Sequence, residues 1–67
     1  MLRYGDSGPE VERLQRLLAA RHLYWGRIDG TFDGRVERAV ADFQRRNGIH
    51  EDGWGVYGPR TRRAMEG

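Results

Sequence analysis

Asp29, Asp33 and Asp52 are the residues whose type could support acid–base chemistry. Two carboxylates flanking a sugar linkage would cleave it, one as acid and one as base or nucleophile. Each of the three, however, stands beside a glycine in a turn or at a helix start, where aspartate bonds nearby backbone amides. Turn formation accounts for all of them without a reaction. Nucleophilic catalysis would need a Ser or Cys with a base in reach. The chain has no Cys, and Ser7 fits a helix cap. His22 and His50 are isolated and lack zinc-ligand spacing. No enzyme, metal site or cofactor is expected.

The remaining chemistry is recognition. Leu23-Tyr24-Trp25 and Trp54-Gly55-Val56-Tyr57 place large rings in connecting segments. At least one side chain of the first cluster must enter the core, and Leu23 is the expected one. Tyr24 and Trp25 then form either a lid over that core or a ligand platform. Both clusters neighbour an Asp-Gly turn, at Asp29-Gly30 and at Asp52-Gly53. Arg35 and Arg60 follow close to helix starts, where free amides and the helix dipole suit anionic or hydroxyl-rich groups.

The elements that position these residues are helices. Ile28 to Gln44 joins the Asp29-Gly30 turn to an amphipathic segment with Val36, Ala39, Val40 and Phe43 on one face. Asp33 or Gly34 can cap the start of this helix, and Gly48 can stop it after Asn47, so that it spans about Gly34 to Arg46. Phe43 is expected to be the largest buried side chain, against Leu14, Leu18 and Ala39. An earlier helix runs from about Gly8 to Arg21, with Val11, Leu14 and Leu18 inward and Leu17 widening the stripe. Ser7-Gly8-Pro9-Glu10 fits a capping box with Ser7 as N-cap. Gln15 beside that stripe is expected to satisfy backbone groups of a neighbouring loop. A short third helix opens at Gly58-Pro59 and turns Thr61, Ala64 and Met65 inward. Residues 52–65 repeat the second segment's design, with Tyr57 matching Phe32 and Ala64 matching Ala39. The expected fold is all-α, a compact three-helix domain with an internal pseudo-repeat of Asp-Gly turn plus helix.

Sixty-seven residues allow one domain, residues 1–67. A chain this short buries only about 60% of its unfolded surface. The basic residues are all arginine, yet carboxylates reduce the net charge to +2. Because the arginines alternate with Glu and Asp along every helical segment, they read as a solvated, ion-paired surface, and no nucleic-acid partner is expected. No apolar run approaches the roughly 20 residues of a membrane span. The N-terminus lacks the apolar core of a signal peptide.

These pieces, taken in order, resemble a known family. The set comprises Gly5-Asp6-Ser7-Gly8, Val11, Leu14-Gln15, Leu18, Tyr24, Gly26, Asp29-Gly30, Phe32, Ala39-Val40, Phe43-Gln44, Gly48-Ile49, Asp52-Gly53 and Gly58-Pro59-Arg60-Thr61. It is similar to the peptidoglycan-binding domain of type 1, the three-helix module of cell-wall hydrolases and endolysins. Three features depart from the family pattern. His22 replaces a Gly, Asp33-Gly34-Arg35-Val36 replaces Gly-Pro-x-Thr, and the Trp54 loop is two residues longer.

The resemblance implies a non-catalytic module that tethers an attached hydrolase or envelope protein to peptidoglycan. Its ligand would be peptidoglycan or a muropeptide, since sugar faces stack on rings and hydroxyls need fixed polar groups. The expected ligand-binding set is Tyr24, Trp25, Asp29, Gly30, Thr31, Arg35, Asp52, Gly53, Trp54, Tyr57 and Arg60. A monomer is expected, at the cell wall or outside the cell by way of a parent protein or secretion system. The alternative is a protein-docking module on the same fold, since an exposed Trp also anchors protein interfaces.

Overall fold

The structure is a computed structural model that describes every residue from Met1 to Gly67. Three helices follow in order: α1 (Pro9–Ala20), α2 (Gly34–Arg46) and α3 (Pro59–Glu66). Helix α2 occupies the span expected from its periodicity, and α1 and α3 lie within a residue or two of theirs. Their inner faces meet in one hydrophobic cluster. Val11, Leu14 and Leu18 come from α1, Val36, Ala39, Val40 and Phe43 from α2, and Met65 from α3.

Phe43 is buried, but it is not the dominant ring. Phe32 is as large and as deeply enclosed, and Tyr24 and Tyr57 join the same cluster. The inward residue of the first aromatic loop is Tyr24, and Leu23 only packs partly against the core. The reason is a polar partner. Gln15 is fully buried in α1 and its Nε2 donates to the Tyr24 hydroxyl at 3.1 Å. That hydroxyl in turn donates to the Arg27 carbonyl at 2.7 Å. A ring with its one polar atom satisfied fills the space better than a leucine.

The helix ends show which local signals hold. Asp33 caps α2, its Oδ1 accepting from the amides of Arg35 at 3.0 Å and Val36 at 3.2 Å. Ser7 does not cap α1. The N-cap is Gly8 and no side chain bonds the first turn. Ser7 instead stays extended and forms an antiparallel bridge with Thr31, while the Gly8 amide donates to the Gly30 carbonyl. Backbone pairing with a distant loop has displaced the capping box by one residue.

The C-termini of α1 and α2 are closed in the same way. The His22 amide donates to Ala19 and Leu23 to Leu18; the Gly48 amide donates to Arg45 and Ile49 to Gln44. Both patterns are Schellman motifs, which need a left-handed residue just past the helix. Gly48 has φ 65° and His22 has φ 61°. Histidine therefore adopts the left-handed conformation at a position suited to glycine, and does so at roughly 1 kcal/mol of strain.

Candidate functional site

Two glutamines organise the loops. The Gln15 Oε1 accepts from the Gly30 amide at 2.8 Å, while its Nε2 faces Asp29 Oδ1 and the Thr31 carbonyl. The Gln44 Oε1 accepts from the Gly55 amide at 2.9 Å, while its Nε2 faces the Gly53 and Val56 carbonyls and Thr61 Oγ1. Each buried amide thus holds one loop against its own helix, the role expected of Gln15. In both loops the amide-donating glycine is followed by a residue whose carbonyl meets the same glutamine. Gly55 is therefore the counterpart of Gly30, and Trp54 stands where Asp29 stands. The Asp52-Gly53 turn lies two residues before that position.

Asp52 has a different task. Helix α3 begins at the N-cap Gly58, which has no side chain to offer. Asp52 reaches in from the preceding loop, and its carboxylate accepts from the Arg60 and Thr61 amides. A Cβ on Gly58 would lie 2.6 Å from the Asp52 Cγ, so glycine at the cap is what lets the carboxylate in. Asp52 does for α3 what Asp33 does for α2, but from outside the helix.

The surface these loops shape is a groove of about 1320 Å³ along the outer face of α2. Trp25, from the α1–α2 loop, and Trp54, from the α2–α3 loop, both line it, 80% and 68% exposed. Arg35, Arg38, Asp42 and Arg45 line it from α2. Of the expected ligand-binding residues, Tyr24, Trp25, Arg35, Gly53 and Trp54 line this groove, Tyr24 with little free surface. Asp29, Gly30, Thr31, Asp52, Tyr57 and Arg60 do not line it.

The rings of Tyr24 and Tyr57 are only 5% and 4% exposed, so neither offers a face for stacking. Tyr57 is turned to the far side, where its hydroxyl donates to Glu66 at 2.8 Å. Gly30 is buried under the Gln15 amide. Arg38, Asp42 and Arg45 were missing from the expected set. Together with Arg35 they recur at the helical spacing of a polar face opposite the apolar stripe, so the periodicity that located the core could also have located them.

Charges here are held by hydrogen bonds. The Gln15 side chain and then the Thr31 amide hold Asp29 below the usual carboxylate range. The Arg45 guanidinium does the same for Asp42. Burial opposes ionisation of Asp52 and is the largest single influence on it, but the bonds from Thr61 and Arg60 together outweigh it, leaving a net depression. Burial, reinforced by Glu66, raises the Tyr57 hydroxyl well above the usual tyrosine range.

The family profile described as "Putative peptidoglycan binding domain" matches residues 7–65. The chain belongs to this family. Solved structures agree. The SleB N-terminal domain superposes with a TM-score of 0.88 at 31% identity, over 96% of this chain and 85% of that one. The Burkholderia AP3 phage endolysin gives 0.86 at 35% identity, over 97% of this chain and 24% of that one. A Clostridioides difficile peptidoglycan-binding protein, solved with glutamine hydroxamate, gives 0.85 at 34% identity, over 96% and 39%. The chain thus spans a quarter to two fifths of the last two proteins. No curated protein matches it. Membership in a binding-domain family makes these residues a small non-catalytic module, and no helix is long and apolar enough to cross a membrane.

The depressed carboxylates set the family fold's response to acid in this chain. Asp52 ionises more readily folded than unfolded, so the unfolded chain takes up the extra proton as pH falls. Its contribution is complete above the unfolded value of 3.8 and is lost as pH drops through the lower folded value. The melting temperature should therefore fall below about pH 4. Asp52→Ala should reduce stability at neutral pH by roughly 1 kcal/mol, the usual cost of a lost cap, and flatten the acid limb. Thermal melts from pH 2 to 7 read both effects, and an equally steep acid limb in the variant would exclude Asp52 as a source.

Proposed function

We propose that this module binds peptidoglycan through the groove on α2 and holds the protein that carries it against the wall. The observation that supports this reading is the pair of exposed tryptophans, Trp25 and Trp54, that line one groove with the polar face of α2. Indole rings give a flat apolar surface at little entropic cost, and the charged residues that share the groove fix orientation. One open groove binds weakly, so the module acts by raising the local concentration of an attached hydrolase or envelope protein. Its place is the cell wall or the extracellular side, reached by way of a parent protein or secretion route, and it acts as a monomer.

Sedimentation with purified sacculi, followed by backbone amide shift titration with soluble muropeptides, tests the reading. Trp25→Ala and Trp54→Ala should each lose about 1 kcal/mol, roughly fivefold in affinity, with unchanged melting. Amide shifts should gather on α2 and its two flanking loops. Shifts confined to α1 and α3, or full binding in the double variant, would reject this groove. Absence of any binding to sacculi, with a protein captured through the same tryptophans, would mark a docking module instead.

A further inference from the structure

The groove contains three arginines and two aspartates. Both aspartates are occupied. Asp33 accepts from the first-turn amides of α2, and Asp42 is shared between Arg45 at 2.7 Å and Arg46 at 3.2 Å. Arg45 is therefore already engaged by a carboxylate. Arg35 and Arg38 take part in none of the chain's five ion pairs. They stand one turn apart on α2, and residues at that spacing lie side by side on a helix surface. Two exposed guanidiniums without a carboxylate partner thus lie in the groove bordered by Trp25 and Trp54.

Arg60, the other arginine near a helix start, is outside the groove. Its charge bears on Glu51 and Asp52, both of which it helps to keep ionised.

Peptidoglycan offers two chemistries to such a surface. Its glycan strands present hydroxyls and acetamido groups without net charge along the chain, and its peptides carry free carboxylates. A guanidinium is matched to a carboxylate by its planar fork of donors, and that match does nothing for an uncharged sugar. Resting on the binding role proposed above, we infer that the groove reads the carboxylate-bearing peptide of peptidoglycan, with Arg35 and Arg38 receiving its carboxylates and the two tryptophans flanking its apolar parts.

The test is a titration with two soluble muropeptides of the same composition, one with free peptide carboxylates and one with those carboxylates amidated. Wild type should bind the amidated ligand about tenfold more weakly, and the difference should shrink as salt screens the contact. The double variant Arg35→Gln/Arg38→Gln should bind both ligands equally, at the weaker level, with wild-type melting because both side chains are exposed. Arg60→Gln should behave as wild type.

Equal wild-type affinity for the two ligands would overturn the inference while leaving the groove a glycan site. Loss of the preference in Arg60→Gln but not in the double variant would also overturn it. Failure of wild type to bind either ligand or intact sacculi would overturn the binding role itself.

Discussion

Phe43→Ala should lose about 3–5 kcal/mol of stability, the usual range for emptying a buried aromatic site. A chain of this length holds only ~3–10 kcal/mol in total, so the variant should be largely or wholly unfolded. The ring is buried in the hydrophobic cluster to which all three helices contribute. It also lies under the Arg21 guanidinium, 5.2 Å from the ring centroid. Arg21 donates onward to the Met65 carbonyl at 3.0 Å, so the ring supports a contact between the end of α1 and α3. Circular dichroism during heating is sufficient to measure the effect. A cooperative transition near the wild-type temperature would show that the core tolerates the cavity and that its centre lies elsewhere, near Phe32.

Gln44→Leu is the second change of that size. Leucine nearly matches the volume but satisfies none of the polar groups that close on the amide. The Gly55 amide loses its acceptor, and the Gly53 and Val56 carbonyls and Thr61 hydroxyl lose a donor. Stranding a buried polar group costs about 1–3 kcal/mol, so several together approach the whole stability. Gln44→Glu separates shape from polarity. It keeps an acceptor for Gly55 but turns a charged oxygen toward two carbonyls. Burial and those carbonyls raise the new carboxyl's folded pKa, so the folded state keeps a proton that the unfolded state has released. Its stability then falls as pH rises from mild acid to neutral, opposite in sign to the wild-type acid limb. Melting at pH 5 and pH 7.5 checks this, and a flat or rising profile would show that the amide donors matter little.

The three helices were legible because their signals are local. An apolar stripe every three or four residues, an Asp at a helix start and a Gly at a helix end act within one turn, and α2 follows them to the residue. Gln15 could be read as a structural amide because a polar residue beside an apolar stripe must find partners nearby. What escaped depends on residues far apart in sequence. Ser7 lost its capping role to a bridge with Thr31, and Tyr24 displaced Leu23 because Gln15 waits for its hydroxyl. Tyr57 looked like a surface ring until its hydroxyl found Glu66 in the last turn of α3. The expected ligand-binding rings share loop membership, whereas burial divides them into two core tyrosines and two surface tryptophans. The arginines of α2 carried a readable period, but nothing local says which of them lack a partner.

The Trp54 loop is tied down twice. Gln44 grips its Gly55 amide and two of its carbonyls, and Asp52 spans from its base to the start of α3. A platform held this way gives up its conformational freedom when the chain folds, and has little left to surrender when a ligand arrives. Preorganisation of that kind lets a small, shallow surface keep a usable affinity. It also means that loss of the Asp52 carboxylate, a modest cost to the fold, should weaken recognition by letting the indole wander while the domain stays folded.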